Sequence, residues 1–243
     1  MNVLYDGTFE GFLTLVYDVY YDALKPTSIL KEEPKELLFE PLHVIFTDES
    51  KAKKVLCALQ KKFTKEHYDR IFHVFLCDSL PFEMELLSFI MLGFKAQNEL
   101  SNITIPMVFK LHSLEKELFR LSHKMYGFTR FEELEDGTLY AKIDTKFNVL
   151  PFLGEHFCKR LGNHAFIIHD INRSLAFIKD EATMGIKAVA SFETPTLCAD
   201  EAHVRSLWKT FFTHVAIENR RNEKLQKSLV PLLYRTYMSE FLA

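Results

Sequence analysis

The densest chemistry lies in one hexapeptide, Ile168-His169-Asp170-Ile171-Asn172-Arg173. A histidine next to a carboxylate can act as a general base with its orienting partner, so His169 and Asp170 are the catalytic candidates. Adjacent residues of a strand point to opposite faces, which works against direct contact between the two. The competing role for Asp170 is an Asx-type turn bond or a pair with Arg173.

A second cluster lies near the C-terminus. Val204, Leu207, Trp208, Phe211, Phe212 and Val215 recur at helical spacing and predict one apolar stripe. Continued winding carries Asn219, Asn222 and Gln226 into the middle of that stripe and turns Arg220 and Arg221 toward the other side. Buried amides must be hydrogen-bonded or line a cleft, so Asn219, Asn222 and Gln226 are expected to be buried and cleft-lining. The guanidiniums of Arg220 and Arg221 can each fork onto a phosphate or a carboxylate. The alternative is a helix end whose amides tie down a loop and whose arginines pair with Glu218 or Glu223.

Other chemistries lack their spacing. The four cysteines are far apart, with no C-x-x-C pair, and the ten histidines form no H-E-x-x-H. There is no G-x-G-x-x-G, Walker loop or G-x-S-x-G. The expectation is therefore no metal site and no cofactor.

The elements that must position these residues change character along the chain. Val3-Leu4-Tyr5 predicts a strand stopped by Asp6-Gly7, and Thr8 can cap a helix with Phe9, Phe12, Leu13 and Val16 on one face. Lys25 to Pro41 has the composition of an irregular connection. From Thr47 to Phe94 the pattern is helical: Thr47 or Asp48 caps a lysine-rich helix, and Pro81 starts a later one. Pro106 opens a long helix with Val108, Leu111, Leu118 and Met125 in its stripe. Beyond Gly127, Phe128 to Leu134 and Leu139 to Ile143 flank the hairpin signal Asp136-Gly137. A helix from Asn148 to about Leu161 follows, then strands at 165–169, 174–178 and 185–192, and helix from Ala199 onward. The expected class is α+β: a helical N-terminal half, and a small antiparallel sheet packed with helices in the C-terminal half. Residues 1–243 are expected to form a single domain with a soft boundary near 97–126.

Net charge is −3, which argues against a generic nucleic-acid coat. The distribution is uneven: residues 1–50 carry 3 basic and 10 acidic side chains, and residues 51–130 carry 13 and 8. Such segregation gives either one basic face or ordinary solvated helices. With no signal peptide and no long uncharged apolar run, a cytoplasmic protein without a membrane segment is expected.

Several segments together resemble a bacterial family assigned to DNA metabolism and DNA repair, a domain of unknown function. They are Val3 to Gly11, His123-Lys124-Met125-Tyr126-Gly127-Phe128-Thr129-Arg130-Phe131, Asn148-Val149-Leu150-Pro151, Ile168 to Arg173 and Glu218-Asn219-Arg220-Arg221-Asn222. The resemblance implies a setting beside a radical SAM protein of DNA modification or repair, and in some bacteria fusion to a uracil-DNA glycosylase-like domain. It implies a partner, not a reaction. The expectation is a DNA-repair accessory protein that binds DNA, docks on the radical SAM partner, or does both. Arg130, Arg173, Arg220 and Arg221 are the candidates for phosphate or partner contacts. The alternatives are a nucleic-acid-processing enzyme centred on His169 and a pure protein-interaction subunit.

Overall fold

The computed structural model describes residues 1–34, 41–189, 196–217 and 222–241. The chain divides into two compact units, Met1–Leu118 and Phe119–Ala243. The architecture is α+β.

In the first unit, β1 (Asn2–Leu4) is the centre of a parallel three-stranded sheet, flanked by β2 (Ser28–Leu30) and β3 (Leu42–Val44). Parallel neighbours need a crossover, and α1 (Phe9–Tyr21) supplies it between β1 and β2. The turn into α1 is built by side chains. Asp6 accepts from the Thr8 backbone N–H at 2.9 Å and from the hydroxyls of Thr8 and Thr47, while Thr8 caps the helix by accepting from Gly11 N–H. A Cβ on Gly11 would sit 2.2 Å from Asp6 Oδ1, so this close approach requires glycine. Ser28–Leu30 falls in the stretch expected to be irregular. The correction has a non-local cause: its backbone pairs with β1, with Thr27 N–H bound to Met1 O.

The remaining helices of this unit are α2 (Glu49–Lys62), capped by Asp48, α3 (Lys65–Phe75), capped by Thr64, and α4 (Glu83–Lys95). α4 starts at Glu83, not at Pro81, because the Glu83 carboxylate takes the Phe82 N–H and fixes the turn before the helix. Phe9, Phe12, Phe75 and Phe82 meet edge-on or tilted in the core. A buried ion pair joins Arg70 Nε to Glu115 at 2.7 Å, with His73 Nδ1 2.8 Å from the other carboxylate oxygen. The division between the units falls inside the long helix α5 (Pro106–Phe128).

The second unit is built on a five-stranded sheet in the order β4 (Glu132–Glu133), β5 (Leu139–Ile143), β6 (Phe166–Asp170), β7 (Leu175–Lys179), β8 (Met184–Ala188). The Asp136-Gly137 hairpin and the three later strands therefore share one sheet. The expected antiparallel order needs one correction: β5 and β6 run parallel. The reason is α6 (Leu150–Leu161), which carries the chain back along the sheet between them. Phe128 ends α5 instead of starting a strand. At the hairpin, Asp136 accepts from Thr138 N–H at 2.9 Å and Gly137 adopts φ +79°. Phe131, Phe157, Phe166 and Phe177 form the aromatic core under α6. The chain ends with α7 (Glu201–Val215), α8 (Glu223–Leu229), α9 (Leu232–Arg235) and a 3₁₀ turn, Ser239–Phe241. Among the described residues, no helix is long and apolar enough to cross a membrane.

Candidate functional site

β6 ends in the hexapeptide that carries the catalytic candidates. Asp170 is fully buried, and its carboxylate receives Arg173 Nη1 at 2.9 Å and the Arg173 backbone N–H at 3.3 Å. Arg173 also donates to the carbonyls of Thr145 at 2.9 Å and Lys146 at 2.8 Å. One guanidinium thus ties the β6–β7 turn to the loop after β5. His169 lies on the other face of β6, buried, with its Nδ1 3.0 Å from the Tyr140 hydroxyl. Burial lowers its pKa, helped by Lys142, so the ring is neutral at pH 7. The two residues do different work: Asp170 holds a turn, and His169 fills the tyrosine-lined face.

Arg130 is likewise engaged within the protein. Its Nη2 and Nε reach the two carboxylate oxygens of Glu240 at 2.6 and 3.2 Å, and its Nη1 donates to Gly127 O at 2.6 Å. The guanidinium stands 5.5 Å from the Trp208 ring, whose Nε1–H donates to Glu240 at 3.1 Å. Burial works against ionising Glu240, but the hydrogen bonds from Arg130 and Trp208 outweigh it and hold the carboxyl below its ordinary value. Arg205 pairs with Glu132 and Glu201 close by. Arg130, Glu132, Glu201, Arg205 and Trp208 wall a cavity of about 480 Å³, lined also by Tyr126, Phe131 and Arg160. Within the cluster, Arg130 and Arg205 are balanced by Glu132, Glu201 and Glu240, none of which carried any local signal in the sequence.

The C-terminal expectation needs the largest correction. Instead of one continuous winding, Ala216 is extended after α7, and α8 starts afresh at Glu223. Asn222 is exposed and is the N-cap of α8, accepting from Leu225 N–H at 2.9 Å, and Gln226 is exposed on α8. Neither is buried: the α7 stripe that they were expected to extend is itself exposed, and α8 is a separate helix. An asparagine before a short run of helix formers was the available cap signal. Asn219, Arg220 and Arg221 lie outside the described residues.

The apolar stripe of α7 is itself exposed. Glu201 is buried and Arg205 half-buried, Trp208 and Phe212 beside them are 38% and 36% exposed, and Val204, Leu207, Phe211 and Val215 are 54–60% exposed on the adjacent side. Leu225, Leu229, Leu232 and Leu233 on α8 and α9 are also more than half exposed. Isolated exposed leucines need no explanation, but a stripe of large apolar groups along a helix is a candidate contact surface.

Fold and side-chain geometry together define an α+β protein with internally paired arginines and an exposed apolar helix face. The chain belongs to the family DUF4130, a domain of unknown function, which matches residues 82–240. No curated protein matches the chain. Among the described residues, no three His, Cys, Asp or Glu side chains gather as a metal-binding group.

Proposed function

We propose that this protein is a DNA-repair accessory subunit that docks on its partner through the exposed apolar side of α7. The observation that carries the reading is the stripe Val204, Leu207, Phe211 and Val215, each more than half exposed, next to the side of the helix that Glu201 and Trp208 anchor. An amphipathic face of this kind fits an apolar groove by anchors three and four residues apart. The resemblance to DNA-repair proteins supplies the partner's identity, a radical SAM protein. The internal pairing of Arg130 and Arg173 supports protein docking over phosphate contact by those two residues, since each already has a carboxylate partner.

The test is co-expression of the tagged chain with the radical SAM protein that the family resemblance implies as its partner, followed by nuclease digestion and size-exclusion chromatography. The wild type is expected to co-elute with the partner, and Leu207→Ser/Phe211→Ser to elute alone with an unchanged far-UV spectrum. Separate elution of the wild type, or co-elution of the double variant, would overturn the reading.

A further inference from the structure

A different surface, in the first unit, combines charge and aromatic rings. The exposed half of α2 carries Lys53, Lys54, Lys61 and Lys62, with Lys54 and Lys61 seven residues apart near its centre and Lys53 and Lys62 at its two edges. They line two neighbouring concavities, of about 610 and 180 Å³, which share Lys54, Ala58 and Lys62. The second concavity is floored by Val16 and Val55 and walled by Tyr20, Tyr21 and Phe94.

The rings form a run: Tyr17 lies 4.4 Å from Tyr21, Tyr21 5.0 Å from Tyr20, and Tyr20 5.5 Å from Phe94. Lys54 stands over Tyr17 and Lys62 over Phe94. Asp18 and Asp22 pair with Lys51, at 2.6 and 3.9 Å, and Glu49 lies one turn before Lys53 on α2. Tyr20 and Tyr21 are 48% and 65% exposed and are the exposed large hydrophobic side chains of α1 and α2.

We infer that this face binds single-stranded nucleic acid. Lysines in a row track a phosphate backbone, and exposed rings next to them offer stacking surfaces for unpaired bases of any sequence. A duplex keeps its bases stacked on each other and has no use for the tyrosines. The inference rests on residues of α1, α2 and α4 and is independent of the docking face on α7.

Fluorescence anisotropy with a labelled 20-mer of dT, on the full chain at 50 and 200 mM salt, tests it. The wild type is expected to bind with steep salt dependence. Changing Lys53, Lys54, Lys61 and Lys62 together to Gln should weaken binding at 50 mM salt by roughly 100-fold and flatten the log–log salt slope by about two to three units, at ~0.7 per lost phosphate contact. Tyr20→Ala/Tyr21→Ala should weaken it by about 10-fold or more with the salt slope unchanged, as lost stacking predicts. The inference is overturned by a wild type that does not bind at 50 mM salt, or by a lysine variant that binds as the wild type does. Tighter binding of a matched duplex, or equal retention by phosphatidylserine vesicles, would overturn it as well. Thermal unfolding of each variant confirms that the exposed substitutions leave the fold intact.

Discussion

Glu240 receives both Nη2 and Nε of Arg130, at 2.6 and 3.2 Å, across 110 residues of sequence. The carboxylate is nearly fully buried and also takes the Trp208 indole N–H, so one side chain of the final 3₁₀ turn fastens the end of α5 and the middle of α7. Removing one member of a largely buried pair leaves the other charge uncompensated. Glu240→Ala should therefore lower unfolding free energy on the order of 3 kcal/mol in urea denaturation. Trp208 fluorescence should shift at the same time, because the indole loses its acceptor. A variant as stable as the wild type would show that the pair is incidental.

Arg173 invites the same treatment with a sharper control. Arg173→Ala strips Asp170, which has no solvent exposure, of its charged partner and frees the Thr145 and Lys146 carbonyls. A loss of about 3–5 kcal/mol is expected. Arg173→Lys keeps the charge but lacks the planar fork, so its stability should fall between Ala and wild type. Equal stability of all three in thermal melts would free Arg173 for an external role.

Gly154 lies against Phe177, whose ring would come within 2.2 Å of an added Cβ. That ring is buried and stacked on Phe166, so it cannot swing aside freely. Gly154→Ala should cost about 1–3 kcal/mol by overpacking. Gly154→Ala/Phe177→Leu should recover part of that loss, which a double-mutant cycle would show.

Stability should fall on the acid side in two stages. Burial first, and nearby cations second, hold the imidazoles of His67, His156 and His169 below the ordinary value of 6.5. In the unfolded chain these rings take up protons as pH drops below 6.5, and in the folded chain they resist. Their contribution is thus complete above that pH and declines below it. Glu115 and Glu240 act lower. Burial alone would raise their pKa, but the hydrogen bonds from His73 and Arg70, and from Arg130 and Trp208, depress it below 4.5. Their stabilisation is present above 4.5 and lost as pH falls through the folded values. Melting temperature measured from pH 8 to pH 3 should show a shallow decline, then a steep one. A flat profile down to pH 4 would contradict the histidine part.

What the sequence determined by itself is the local physics. Thr8, Asp48 and the Asp136-Gly137 turn act over two to four residues, through hydrogen bonds that the backbone must make wherever the segment lies. The long helix from Pro106, the strand Leu139–Ile143 and the helix ending at Leu161 were legible for the same reason: their periodicity is a property of the segment. So was the bond between Asp170 and Arg173, three residues apart. Tertiary structure alone decided the rest. Ser28–Leu30 is a strand because β1 lies beside it, and β5 and β6 run parallel because α6 returns the chain. The stripe on α7 had the spacing of a core helix, yet its outer side is uncovered, since periodicity tells which residues share a face and not whether anything packs against it. Arg130 was a candidate for phosphate or partner contact, and its pair with Glu240, 110 residues away, was decided by the tertiary structure. Pairing at that range depends on the path of the whole chain, which no local pattern records.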